Sequence, residues 1–215
     1  MGKKPTLLNL MLTTIKRQDC LSRYAIFPQR SYDYQKDEEK LFYPEVFRSY
    51  VLTLPSRSFR GHARALSMEL TKLVKALDAS ALIFLGDTRT SWLGQDNDYK
   101  PVKEALQYLA GNKIGKRFNG AIQVPAPELP LFVRHLAWLS RCNAALPYIY
   151  FTTPDKNILG TICQYGSLHL DALNEEADKL ITSFVDGSRF QYGGINSCTG
   201  QFNKTRAIPG RQIVV

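Results

Sequence analysis

Three carboxylates follow the most apolar short segment of the chain. Residues 80–85 read Ser-Ala-Leu-Ile-Phe-Leu, and Asp87 comes directly after Gly86, with Asp96 and Asp98 later in the same polar stretch. Carboxylates that follow a strand can hold Mg²⁺ or act as general acid and base. One interpretation is therefore a metal-dependent phosphoesterase or nuclease. The alternative is that Asp87 only caps the backbone of the loop.

A histidine set among arginines is a second candidate for chemistry. His62 lies two residues from both Arg60 and Arg64. Because imidazole titrates near neutral pH, such a histidine can serve as acid or base in RNA cleavage. The alternative is an ordinary surface or half-buried histidine, and the sequence leaves both interpretations open.

The spacing of cysteine and histidine predicts no metal site. No Cys-x-x-Cys pair occurs, and structural zinc sites depend on such spacing. We therefore expect reduced, buried cysteines and no cofactor, except Mg²⁺ if the carboxylates are catalytic. The scattered residues are Cys20, Cys142, Cys163 and Cys198, with His62, His135 and His169.

The charge of the chain favours a polyanionic partner. It has 28 Lys and Arg against 19 Asp and Glu, a net charge of +9. Such a surplus attracts phosphate and binds it with release of counterions. Apolar residues in 57–78 repeat with the period of a helix, which leaves a cationic stripe for solvent. The candidate nucleic-acid ligands are Arg57, Arg60, Arg64, Lys72 and Lys75 of that stripe, with Lys113, Lys116 and Arg117 of the glycine-rich loop 111–120.

The C-terminal segment has the same sign of charge. Residues 187–215 contain no acidic residue, and glycines and aromatic residues alternate with the cations. Aromatic side chains can stack on bases, and the candidates are Phe118, Phe190, Tyr192 and Phe202. The sequence thus predicts a nucleic-acid-binding protein, RNA or DNA, that contacts the phosphate backbone. The alternatives are the phosphoesterase or nuclease above and a structural subunit of a larger assembly, docked through the tyrosine-rich residues 29–45.

A strand, a helix and a second strand follow one another in the first half of the chain. Residues 46–54 have a strand-like composition, and the apolar run 80–85 does not alternate, which is typical of a strand buried on both faces. With helix 57–78 between them, the two strands predict a parallel βαβ unit. Residues 147–152 and 158–164 predict a β-hairpin. The predicted fold is therefore an α/β domain with a mixed, mostly parallel central sheet and helices on both faces.

Other elements follow from periodicity and from the residues that end helices. We expect helices over 6–18, 101–111 and 131–142, and a last helix that begins at Asp171. Short strands are predicted at 23–27, at 121–124 and, on a sheet edge, at 213–215. Residues 29–45 predict an exposed loop.

The length of the chain and of its apolar runs predicts the number of domains and the absence of membrane spans. The 215 residues predict a single domain, 1–215, that can bury a core without disulfides or metals. No apolar run approaches the roughly 18 residues that a membrane span needs, so we expect a cytoplasmic protein with no membrane contact.

Overall fold

The computed structural model describes residues 12–146, 148–194, 198, 202 and 208–212. Within these ranges the strands are β1 (Thr13–Ile15), β2 (Gln29–Asp33), β3 (Glu38–Phe42), β4 (Arg48–Thr53), β5 (Ala81–Gly86), β6 (Ala121–Pro125), β7 (Ile149–Thr152), β8 (Ile158–Ile162), β9 (Leu168–Ala172) and β10 (Gln191–Tyr192). The α-helices are α1 (Arg17–Arg23), α2 (Phe59–Ala76), α3 (Lys100–Gly111), α4 (Leu129–Cys142) and α5 (Glu175–Asp186), and a 3₁₀ turn spans Ala126–Glu128. No helix in these ranges is both long and apolar enough to cross a bilayer.

Eight of the strands form one sheet in the order β1-β6-β5-β7-β8-β9-β4-β10. Each neighbouring pair in this sheet is antiparallel. The predicted fold class, a mixed, mostly parallel central sheet with helices on both faces, is therefore wrong: the sheet is antiparallel, with α2 to α5 in a layer on one face and the short α1 on the other. The predicted C-terminal hairpin is confirmed, because β7 and β8 pair in antiparallel register with Phe151 opposite Gly160.

The error lies in the partners of β4 and β5. The two strands run in the same direction, but β9, β8 and β7 lie between them. The crossover through α2 therefore spans three strands, and neither end of it forms a parallel pair. Each residue of β5 is buried, as predicted. An apolar run without alternation indicates only that both faces of a strand are buried. It does not indicate whether the neighbouring strands are parallel or antiparallel.

One layer of helices covers one face of the sheet. Contacts between neighbouring helices give the order α3-α4-α2-α5 across that layer. Their apolar stripes share a core with alternate residues of the strands, such as Leu82 and Phe84 of β5. Helices α2, α3 and α4 lie within two residues of their predicted bounds. Ser58 begins α2, because its hydroxyl accepts a hydrogen bond from the Gly61 amide at 3.2 Å.

The opposite face of the sheet packs against a smaller set of residues, which belong to α1 and to the segment after it. Ile83 and Leu85 of β5 pack there against Cys20 of α1 and against Tyr24 and Phe27, which follow it. The predicted helix over 6–18 is wrong where the structure describes it, because β1 occupies residues 13–15 and pairs with β6. Residues 24–27 form a turn and a bend and not the predicted strand.

Two further boundaries differ from the sequence prediction. Asp171 does not begin the last helix, because it lies in β9 opposite Ser49 of β4. Asn174 begins α5 instead, and its side chain accepts a hydrogen bond from the Ala177 amide at 2.8 Å. The predicted edge strand 213–215 lies outside the described residues, and β10 pairs with β4 at that edge of the sheet.

Residues 29–45, expected to be an exposed loop, contain the antiparallel hairpin β2–β3. Each side chain of β3 and two of the five in β2 are exposed, so the predicted exposure holds for most of the hairpin although the segment is not irregular. It forms its own two-stranded sheet beside the main one. A two-stranded hairpin is barely stable alone, so the contacts that attach it to the main sheet are needed to keep it folded.

Candidate functional site

The topology gathers polar groups at one end of the main sheet. The strands β4, β5 and β8 run in the same direction, so their last residues lie at one end of the sheet. The start of α2, Asp87 and the β8–β9 turn follow these strands and therefore lie at that end. The Nε2 atom of His62 lies 2.7 Å from the carbonyl oxygen of Gly166 and joins α2 to that turn. Each candidate below lies at this end or on the helical layer beside it.

Asp87 is buried and paired, so it is not a free ligand. Its Oδ2 atom accepts a hydrogen bond from Nε of Arg30 in an ion pair. Burial raises the pKa of Asp87, while Arg30 and the nearby Arg17 oppose that shift. The Oδ1 atom has no hydrogen-bond partner among the described residues. The carboxylate anchors hairpin β2–β3, because Arg30 belongs to β2.

Asp96 and Asp98 lie on a different surface. They line an open cavity of about 310 Å³ against α3, together with Lys103 and Lys116. Asp98 is fully exposed and lies 3.5 Å from the Lys103 ammonium. Asp87 is not among the residues that line this cavity, so the carboxylates of the 86–98 stretch fall into two separate places.

His62 is a structural residue with no solvent contact. Its ring lies between two carbonyl oxygens, 3.3 Å from that of Leu54 and 2.7 Å from that of Gly166. Burial lowers the pKa of His62, and the positive charge of Arg141 lowers it further. The hydrogen bonds to the two carbonyls raise the pKa but do not outweigh burial. The neutral ring has one N–H and donates to one of the two carbonyls; it is buried between β4 and the β8–β9 turn, and a substrate on the surface does not reach it.

The start of α2 forms the wall of a basic groove. A cavity of about 660 Å³ is lined there by Arg57, which precedes α2, by Arg64 of the helix and by Arg189, which follows α5. The three guanidinium groups belong to exposed residues, and no acidic residue is among the described residues that line the groove. The first turn of α2 also has no acidic residue, so nothing there neutralises the positive end of the helix dipole.

Two more arginines extend this surface towards α4. Arg60 of α2 and Arg134 of α4 line a neighbouring cavity of about 230 Å³, with Glu104, His135 and Trp138. We call Arg57, Arg60, Arg64, Arg134 and Arg189 the arginine band. Among the described residues, no carboxylate lies within ion-pair distance of the band.

The other predicted cations lie outside the arginine band. Lys72 and Lys75 are exposed further along α2, and Lys72 lies 2.9 Å from the buried carboxylate of Glu69. Lys113, Lys116 and Arg117 are exposed after α3, where Lys116 faces the cavity of Asp96 and Asp98. Because α4 lies between α3 and α2, the cations of loop 111–120 and the stripe on α2 belong to different surfaces.

The aromatic residues expected to stack on bases are mostly inside the protein. Phe190 is buried, Phe118 packs against the main core, and Phe202 contacts the ring of Phe59 at a centroid distance of 5.6 Å. Tyr192 is 52% exposed. The four residues predicted to stack on bases therefore offer a ligand little aromatic surface apart from Tyr192.

A cluster of cysteine and histidine that the sequence did not predict lies at the same end of the sheet. The Sγ atoms of Cys163 and Cys198 and a ring nitrogen of His169 lie within 4.8 Å of one another. Cys163 follows β8, His169 belongs to β9, and Cys198 comes from the C-terminal segment. The one signal in the sequence was the short separation of Cys163 and His169, which are six residues apart with Gly166 between them.

A cavity opens above this cluster. Its volume is about 340 Å³, and Ser140, Tyr148 and Arg211 are among the side chains that line it. Burial raises the pKa of Cys163 to about 11 and lowers the pKa of His169. Burial thus favours the protonated Cys163 thiol and the neutral His169 imidazole. This donor set suits a soft cation once the thiol proton is displaced.

Comparison of the chain with protein-family models, with curated proteins and with solved structures finds no match. Functional conclusions therefore depend on the geometry of its own residues.

Proposed function

We propose that the protein binds nucleic acid through the phosphate backbone, with the arginine band as the contact surface. The observation that supports this proposal is the groove at the start of α2, where Arg57, Arg64 and Arg189 meet without an acidic neighbour among the described lining residues. Guanidinium groups match phosphate oxygens in geometry and charge. The positive end of α2 adds to the same field.

The proposed contact surface contains fewer segments than the sequence alone predicts. Loop 111–120 is left out, because α4 separates it from α2 and Lys116 faces two carboxylates. The phosphoesterase alternative is not carried forward, because Asp87 is buried against Arg30 while Asp96 and Asp98 line another cavity. Contact with backbone phosphates alone carries little sequence information, so we expect binding with weak sequence preference.

The test is the salt dependence of binding. We expect labelled single- and double-stranded RNA and DNA to bind at low salt, with an affinity that falls steeply as salt rises. Each lost phosphate contact reduces the slope of log K against log salt by about 0.7 to 0.9. The triple variant Arg57→Gln/Arg64→Gln/Arg189→Gln should therefore lose about 2 to 3 units of slope, measured by fluorescence anisotropy.

A variant with the same change in net charge provides the control. Lys36, Lys156 and Lys179 are exposed and lie outside the band, so Lys36→Gln/Lys156→Gln/Lys179→Gln should keep most of the slope. Both variants must retain the wild-type circular dichroism spectrum. Equal slopes for the two variants, or no binding by the wild type at low salt, would contradict the proposal.

One observation favours a second function, that of a subunit in an assembly. Hairpin β2–β3 and the residues after it expose large apolar and aromatic side chains that a monomer gains nothing by exposing. The exposed fractions are 46% for Tyr32, 88% for Tyr34, 49% for Leu41, 52% for Phe42, 40% for Tyr43 and 51% for Phe47. Residues 29–45 also carry five acidic and three basic residues in a chain of net charge +9. This surface complements the basic surface of a second copy, which we propose as its partner.

Self-association measured by sedimentation tests this second function. We expect the wild type to dimerise as concentration rises and to dissociate with added salt, because the contact joins opposite charges. The variant Tyr34→Ser/Phe42→Ser should weaken dimerisation about tenfold, whereas Leu180→Ser, which alters a 38% exposed residue on α5, should not. A wild type that stays monomeric at every concentration would rule out the homodimer.

A further inference from the structure

We propose that Cys163, His169 and Cys198 bind a thiophilic divalent cation of the zinc class, with one coordination position open to the cavity above them. This inference is independent of nucleic-acid binding. It assigns a metal site where the spacing along the chain predicted none.

The β8–β9 ladder brings two of the three ligands together. Ile162 pairs with Leu168 and Thr161 pairs with His169, so the ladder places His169 on the face opposite the helical layer. The backbone amide of Cys163 donates to the Ser167 carbonyl at 3.0 Å and continues the ladder by one residue. Because side chains alternate along a strand, Cys163 lies on the same face as His169, as its diagonal neighbour.

The third ligand completes a triangle of the right size. The Sγ atom of Cys198 lies 3.2 Å from Nε2 of His169. The three donor atoms are at most 4.8 Å apart. Zinc bonds of about 2.3 Å to sulfur and about 2.0 Å to nitrogen place the ligands of a tetrahedral site about 3.6 Å from one another. Small rotations of the side chains are sufficient to close the triangle around an ion.

The turn that carries Cys163 is held in place. Gly166 has a φ of +93°, and a Cβ atom there would lie 2.7 Å from the ring of His62. A guanidinium nitrogen of Arg141 donates to the Gln164 carbonyl at 3.1 Å. A guanidinium nitrogen of Arg211 donates in turn to the Arg141 carbonyl at 2.7 Å. Binding therefore needs little ordering of this turn, which favours affinity.

Three protein ligands leave one position of a tetrahedron unfilled. The cavity of about 340 Å³ has no other cysteine, histidine or carboxylate among the described residues that line it. Its remaining lining residues are Ser140, Tyr148, Gln164, Tyr165 and Arg211. The fourth ligand is therefore water or an exchangeable anion, and Arg211 would attract the anion. Sites with three protein ligands and one open position are the kind that zinc enzymes use.

Metal titration of the reduced full-length protein tests the site. We expect one equivalent of Co²⁺ to produce the visible absorption of a tetrahedral site together with thiolate-to-cobalt charge transfer, and one equivalent of Zn²⁺ to abolish both. Competition against a chromophoric chelator gives the zinc affinity. The variants Cys163→Ser, His169→Gln and Cys198→Ser should each weaken zinc binding at least about tenfold.

Matched controls separate the site from general thiol and imidazole binding. Cys20→Ala alters a buried cysteine on the opposite face of the sheet from the helical layer, and His135→Gln alters a half-buried histidine stacked on Tyr108. Both control variants should bind zinc as the wild type does. The proposal is overturned if the reduced protein takes up no stoichiometric metal, or if the control and ligand variants lose affinity equally. A Cys163–Cys198 disulfide that forms in the isolated protein, with no metal uptake after its reduction, would also overturn it.

Discussion

We expect the substitution Gly160→Val to lower the free energy of unfolding by about 3 kcal/mol or more. Gly160 lies in β8 opposite Phe151 of β7. A Cβ atom at Gly160 would overlap the ring of Phe151, which is fully buried and packs on Phe84 with centroids 5.4 Å apart. Neither ring has space to move, so the added atoms force strain into the centre of the sheet. Urea denaturation measures the loss.

The matched control is Gly115→Val. A Cβ atom at Gly115 meets nothing within 4 Å, so this variant should stay within about 0.5 kcal/mol of the wild type. A second pair of variants tests the cause. Gly160→Ala combined with Phe151→Leu should cost less than the sum of the two single substitutions, because the smaller side chain makes room for the methyl group. Additive losses would show that overlap with Phe151 is not the reason.

The second large effect is expected when the ion pair of Asp87 is broken. In the variant Arg30→Met, the Asp87 carboxylate remains buried without its partner, and removal of one member of such a pair costs about 3 kcal/mol at pH 7. Arg30 also connects β2 to the body, both through its guanidinium and through its amide, which lies 3.4 Å from the Asp87 carbonyl oxygen. We therefore expect hairpin β2–β3 to become accessible to proteases as well.

The loss should depend on pH with a defined sign. Burial already raises the pKa of Asp87 in the folded protein, and without Arg30 the pKa rises further. The folded state then holds a proton that the unfolded state, with a pKa of about 3.9, has released. Stability is greatest below the unfolded pKa and falls as pH rises towards the folded pKa. The destabilisation by Arg30→Met should thus be smaller at about pH 4 than at pH 7.

A double variant isolates the charge of Asp87. Asp87→Asn added to Arg30→Met removes the unpaired carboxylate, so part of the lost stability should return at pH 7 and the pH dependence should disappear. Equal destabilisation at both pH values, or no recovery in the double variant, would contradict the proposed cause. The comparison uses equilibrium denaturation of each variant over the same pH series.

Local patterns predicted individual elements well. The apolar period of α2 and the uninterrupted run of β5 gave elements close to those observed, because both depend on neighbours along the chain. Sheet direction was predicted wrongly, because it depends on which strands meet. β4 pairs with β9 and β10, and nothing in residues 46–54 indicates those partners.

The same limit explains the candidate sites. The arginines of α2 were found because one helix carries them, while Arg134 and Arg189 join the band only through the packing of α4 and α5 beside α2. The Cys163–His169–Cys198 cluster was missed for the same reason. Its ligands are brought together by a strand pairing and by a distant C-terminal segment, and a search for close spacing cannot detect that arrangement.

The order of strands in the main sheet also constrains how the chain can fold during synthesis. β1 pairs with residues 121–123, and β4 pairs with β9 at residues 168–172. An N-terminal half that leaves the ribosome therefore has strands without partners, and unpaired edges promote aggregation. Such distant pairings also slow folding. Assembly of the sheet is thus a late event that begins only after most of the polypeptide has emerged, and a chain truncated before β9 should be a substrate for chaperones.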